Sequence, residues 1–504
     1  MTPTAAGSDR AQPRAAAGLL LIGLLFLAWR LPSMYREPGW QDEECHAVPG
    51  LTILATGVPR LPHLPSRSTQ SLYYRADEVV FLEPPLFFYA QAAFYALLPH
   101  VYGTARLASA AGGVLLLVLA GKLAVRSGGT ARAALWGMGL FMMSRWFYFP
   151  ASAARPDMLC SALGLMAVLA TETWTRTRQW RWLTAAGAAI GLGGLTHPFA
   201  LAYAVQLAVW SCLAARRRQR LLAPALLAAV ALLVASSWLL LIQSNPQVFE
   251  IQFRNQFIHD RGGPLMERLL WPWESFAFHT GFLWPHMAAW QFSLPVAGAV
   301  LCLVLGRRER RPLLSTVGWL AISGAGLISV LVGPHHPVFG YFSYPAALAF
   351  IGVGCGIDRA MSALSARRRF ARATVAAFGI ACVISMLPGS RIRMNLAYFR
   401  NWNEVNFNAP RFARSLLDEL PPDAMYLVDE EFALDFVEAG RNVIAFRAVH
   451  EEAVPRSTPY DYRIASRSTE RYFAHVQWQD ELAWIAGDPD NPYGCFAKVY
   501  RRTP

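Results

Sequence analysis

Apolar runs recur along most of the chain, interrupted by short turns that carry arginine. A bilayer core of about 30 Å takes about 20 apolar helical residues to cross. Eleven segments approach that length: 15–34, 105–124, 131–149, 158–174, 182–197, 199–214, 221–242, 291–306, 313–332, 341–357 and 373–388. The pattern predicts an all-α polytopic membrane protein of about eleven spans. "PPLFFYAQAAFYALLP", Pro84 to Pro99, is also apolar, but it is short, aromatic and bounded by prolines. Loop charge decides how to read it, because short cytoplasmic loops collect Lys and Arg. If 84–99 does not span, the basic clusters around Arg126, Arg178, Arg217, Arg308 and Arg368 all face inward; if it spans, all face outward. The segment is therefore expected to lie as an amphipathic helix at the outer interface.

Beyond about residue 390 the pattern becomes that of ordinary soluble chain. "DAMYLV" and "NVIAF" read as short strands around the helical "DEEFALDFVEAG", with "CFAKVYRR" as a late strand. The expected organisation is a transmembrane module over 1–390, including a long first outer loop at 35–104, and a small extracytoplasmic α/β domain over 391–504.

Composition agrees: 54% of residues are apolar and 16% charged, far from the balance of a soluble domain. The net charge of +13 lies in clusters between apolar runs, which marks topology rather than a nucleic-acid surface. The N-terminal run follows Arg10 and Arg14 without a small-residue cleavage site, so it is read as an uncleaved first span with its N-terminus inside. Of the seven cysteines, Cys45 and Cys495 lie outside apolar runs, and a disulfide between them is an open alternative to two free thiols.

Candidate chemistry gathers on one face. The same parity places Asp42, Glu43, Asp157, His197, His335 and His336 on the outer side. Asp42, Glu43 and Glu44 follow the first span directly, where crowding and partial desolvation would raise a carboxyl toward the range of a general base. A solvated acidic loop is the other reading. Arg155 and Asp157 stand at the mouth of a span, either facing a cavity or forming a local ion pair. His197 turns an outer hairpin, either as a structural residue or as an imidazolium near phosphate. His335 and His336 lack further ligands at metal spacing, so no metal site is assigned, and dependence on a divalent metal is left open. With no phosphate-binding loop visible, a membrane-embedded donor fits better than a soluble nucleotide.

The ordered set "DEE", "EPPLFFYAQAAFYALL", "TARLASAAGGVLLLVLAGKLA", "ASAARPDMLCSALGLMAVLA", "GLGGLTHPFAL" and "FGYFSYPAALAF" resembles the C-type-fold (GT-C) glycosyltransferases. The nearest branch is that of the bacterial lipid A aminoarabinose transferase and the protein O-mannosyltransferases. The resemblance implies an inverting transfer from a polyprenyl-phosphate sugar donor to an extracytoplasmic lipid, glycan or protein acceptor, in a bacterial inner membrane, for cell-envelope or lipopolysaccharide modification. It assigns Asp42 as catalytic, with Glu43 and Asp157 beside it, and Arg106, Arg155 and His197 as donor-phosphate ligands. Glu83, His336, Tyr341 and Tyr344 would line the substrate. Glu83 and His197 stand where many relatives carry a basic side chain. A lipid-linked-sugar transporter or flippase would need internal repeats and deep ionisable residues, and a noncatalytic scaffold would tolerate changes at Asp42.

Overall fold

The protein is described from a computed structural model covering residues 6–40, 42–259, 264–287, 289–334, 340–364, 391–450, 458–472 and 478–503, with isolated positions between 373 and 384. Among these residues seven helices are long and apolar enough to cross a membrane: Ala16–Met34, Tyr102–Arg126, Asp157–Thr177, Arg217–Ser244, Trp290–Arg308, Pro312–Val332 and Gly340–Ala363. Three further expected spans are shorter helices of the same bundle, Ala131–Met143, Trp180–Gly194 and Ala200–Ala214. The first of them stops early because Ser144 adopts an extended backbone, and the Gln291 side chain takes the freed Arg145 N–H. The eleventh expected span, 373–388, lies largely outside the described residues.

Small residues let the bundle close. A side chain on Gly352 would meet the Gly298 carbonyl at 1.9 Å, and one on Gly354 the Ala133 carbonyl at 2.1 Å, so helix 343–364 touches both neighbours backbone to backbone. Charged side chains are paired at one end of the bundle: Arg126 with Glu172 at 2.8 Å, and Arg132 with Asp358. Asp42, Arg155, His197 and Tyr341 collect at the opposite end.

The segment bounded by Pro84 and Pro99 forms a helix of ten residues, Leu86–Tyr95, about 15 Å long and too short to cross. Phe87, Phe88 and Tyr95 are buried against the first outer loop, while Tyr89 is exposed. The long first loop also holds the helix Glu43–Thr56.

The C-terminal sheet has the strands β1 (Met425–Val428), β2 (Asn442–Ala445), β3 (Tyr462–Ala465), β4 (Asp480–Gly487) and β5 (Phe496–Arg502), ordered β2-β1-β3-β5-β4. The first three are parallel, and β5 runs antiparallel to both neighbours. β1, β2 and β5 match the sequence reading. β3 and β4 were not legible: β3, "YRIA", carries a charged residue within its four positions, and β4 is an edge strand with Leu482 and Ile485 about half exposed. One face of the sheet packs on the helix Ala409–Glu419 through Phe412, Tyr426 and Phe436. The other face, with Leu427, Ile444 and Phe446, shares a core with Val48, Leu61 and Phe88 of the first loop. Tyr102 donates to the Glu430 carbonyl at 2.7 Å and the Ala445 N–H to the His63 carbonyl at 2.9 Å. The sheet is thus built onto the bundle rather than tethered beside it.

Candidate active site

Asp42 precedes the helix Glu43–Thr56 without capping it, and its carboxylate turns instead to two arginines from distant parts of the chain. Arg155 donates from Nη1 to Oδ2 at 2.9 Å, and Arg447 from Nη2 to Oδ1 at 2.9 Å. Burial alone would push this carboxyl up, but Arg447 and Arg155 outweigh it and hold Asp42 well below the ordinary carboxylate range. The expectation of an acidic cluster raising Asp42 is thereby corrected, because cations rather than carboxylates make its closest contacts. Its side chain is 40% exposed, whereas Glu43, Glu44 and Asp157 are buried.

Glu43 points the other way, into the protein. It takes Arg106 Nε at 2.9 Å and Nη2 in a bidentate pair, and the Ala154 N–H at 2.6 Å. Arg106 also donates to the carbonyls of Met34 at 2.6 Å, Glu37 at 3.1 Å and Pro38 at 2.7 Å. A guanidinium has five N–H groups, and every one is used. Arg106 is also fully buried, so it has nothing left for a donor phosphate; the pair instead clamps the first loop to the bundle.

Arg155 is different. Ser109 anchors its main chain, donating to its carbonyl at 2.8 Å and accepting its N–H at 3.1 Å. Beyond Asp42, its guanidinium reaches Asp157 Oδ2 at 3.1 Å and the Tyr341 hydroxyl at 3.4 Å. These contacts use three of its five N–H groups among the described residues. Asp157 Oδ1 is buried and has no hydrogen-bond partner among the described residues, at the start of the helix Asp157–Thr177.

His197 lies within 3.5 Å of Glu83 through Nε2, and its Nδ1 accepts the Phe199 N–H at 3.2 Å. The ring thus sits between a backbone N–H at Nδ1 and the Glu83 carboxylate at Nε2. The two positions noted as departures, Glu83 and His197, are therefore partners of each other. Tyr341 stacks its edge on Phe199 at 4.5 Å. Tyr344 sits deeper in the bundle, its hydroxyl donating to Gln206 at 3.0 Å, away from Asp42. His336 lies outside the described residues.

Two residues not singled out by sequence complete the site. Arg447 also donates from Nε to Glu44 Oε1 at 2.8 Å and from Nη2 to Glu430 Oε2 at 2.7 Å. Glu430 belongs to a second "DEE", Asp429 to Glu431, directly after β1; a carboxylate triplet at a strand end was the available signal. Among the described residues no group of three or more His, Cys, Asp or Glu is placed to hold a metal ion. Cys45 and Cys495 are free, buried thiols in separate cores, so the disulfide alternative does not hold.

An apolar cavity of about 480 Å³ opens between helices 273–286, 289–308, 312–332 and 343–364, lined by Phe276, Val296, Ala325, Phe342 and Ala346 among others. Phe342 follows Tyr341 directly, so the cavity adjoins the polar site.

Residues 82–240 match the dolichyl-phosphate-mannose-protein mannosyltransferase family. Among solved structures, ArnT of Cupriavidus metallidurans bound to undecaprenyl phosphate is similar at 18% identity and a TM-score of 0.56, over 95% of this chain and 97% of that chain. AglB, the oligosaccharyltransferase of Archaeoglobus fulgidus, in complex with an inhibitory peptide and a dolichol-phosphate, is similar at 13% identity and a TM-score of 0.54, over 96% of this chain and 74% of that chain. No curated protein sequence matches significantly. The fold of the chain is that of these GT-C proteins.

Proposed function

We propose that this chain, a glycosyltransferase by family match with the GT-C fold, moves a sugar from a polyprenyl-phosphate donor to an acceptor hydroxyl or amine on the extracytoplasmic side of the inner membrane. The observation that carries the reading is the exposure of one carboxylate, Asp42, between two arginines while its acidic neighbours are sealed. An accessible carboxylate suits a single displacement with inversion: the acceptor oxygen or nitrogen bonds to the anomeric carbon as the bond from that carbon to phosphate oxygen breaks. Asp42 accepts the acceptor's proton. Because Asp42 is a weak base, it acts late, as the attacking atom gains positive character, and until then orients the nucleophile. The departing phosphate gains negative charge, and Arg155 is the cation with N–H groups to meet it. Asp157, itself buried, holds Arg155 in place.

The apolar cavity supports a polyprenyl tail, since its walls are aliphatic and aromatic and include Phe342, next in sequence to Tyr341. ArnT, whose fold the chain shares, was solved with undecaprenyl phosphate. The test is transfer of labelled sugar from undecaprenyl-phosphate-linked mannose or aminoarabinose to membrane material, using membranes of a deletion strain with and without the protein. Protein-dependent labelling is expected; equal labelling of both membranes contradicts the reading.

A further inference from the structure

The sheet domain contributes a side chain to the reacting centre. Arg447 belongs to the short helix that follows β2, and β2 is fixed by its parallel pairing with β1 and by the bond from Ala445 to the His63 carbonyl. From there the guanidinium touches three carboxylates: Asp42 and Glu44 of the first loop and Glu430 of its own domain. The fully sealed Arg106–Glu43 pair has side chains 0% and 2% exposed, but the side chains of Arg447, Asp42 and Glu430 are 19%, 40% and 29% exposed. They are accessible to solvent.

Resting on the glycosyl-transfer reading above, we propose that Arg447 is a positioning residue of the reaction, fixing the plane of the Asp42 carboxylate toward the acceptor. Arg155 alone holds one oxygen and leaves the carboxylate rotation about its Cβ–Cγ bond; Arg447 holds the other oxygen and removes that freedom. Arg447 itself is kept from following Asp42 by Glu44, which takes its Nε–H, and by Glu430, which shares Nη2 with Asp42. The catalytic centre is thereby shared between bundle and sheet, and sugar transfer requires the sheet domain to be docked.

The experiment uses the full chain in deletion-strain membranes with undecaprenyl-phosphate-linked mannose or aminoarabinose, comparing wild type with Arg447→Gln and Arg447→Lys. Arg447→Gln is expected to lower kcat by about tenfold or more, to leave KM for the donor near wild type, and to move the acidic limb of the pH profile upward. A merely structural role would lower activity equally at every pH without moving the limb, and that result overturns the assignment, as does unchanged activity. If Arg447→Gln does not accumulate as folded protein, Arg447→Lys decides. It keeps the cation but not the planar fork, so a lowered kcat at unchanged donor KM supports the assignment and a wild-type kcat overturns it. Wild-type membranes that transfer neither sugar overturn the glycosyl-transfer reading, and the assignment with it.

Discussion

Arg155 reaches Asp42 across 113 positions of chain, Nη1 to Oδ2 at 2.9 Å. That contact joins the first outer loop to the mouth of helix 157–177 and makes one site from two segments. It also separates two neighbours that look alike in sequence: Asp42 is open to solvent, and Glu43 faces the interior.

The separation predicts opposite phenotypes. Glu43→Gln leaves a buried Arg106 without its charge partner, a change that typically costs about 3–5 kcal/mol. Its expected outcome is a large drop in thermal stability, measured on purified protein in detergent, and low accumulation in membranes. Asp42→Asn should accumulate and melt near wild type, because that side chain is 40% exposed.

The apolar cavity predicts a chain-length effect. Ala325→Phe places a ring in the space beside Val296 and Phe276. Displacing about two buried methylenes of the donor tail weakens binding by about tenfold. KM for a long-chain polyprenyl-phosphate sugar should rise by that factor with kcat little changed, while a short-chain analogue keeps its KM.

The second acidic triplet predicts a stability that declines with rising pH. Burial, then neighbouring carboxylates, push Glu431 up to about 8, and burial pushes Asp429 up to about 6. A carboxyl whose folded value is raised favours folding while protonated; its contribution is full below the ordinary range of about 4. It is lost as pH rises through the raised values. Amide exchange in Met425–Val428 should therefore quicken between about pH 5 and about pH 9 beyond its intrinsic base dependence, and Glu431→Gln should flatten the excess.

Much of this was legible in sequence because bilayer spans and basic loops are strong, local signals. Ten of the eleven expected spans correspond to described helices, and the short helix between Pro84 and Pro99 was readable from its length. The roles of the cations were not legible. Arg106 and Arg155 look equivalent as letters, and only three-dimensional accounting of N–H groups shows that Arg106 is saturated. Arg447 was invisible for another reason: it lies 405 positions from Asp42, and nothing local to "AFRAVH" records that contact.

The most direct measurement of the central claim is sugar transfer by Asp42→Asn in deletion-strain membranes, with protein level and melting temperature matched to wild type. Loss of the Asp42 carboxylate is expected to reduce transfer from the undecaprenyl-phosphate-linked sugar by about 10²–10⁴-fold. Wild-type transfer by a folded, inserted Asp42→Asn protein would contradict the account.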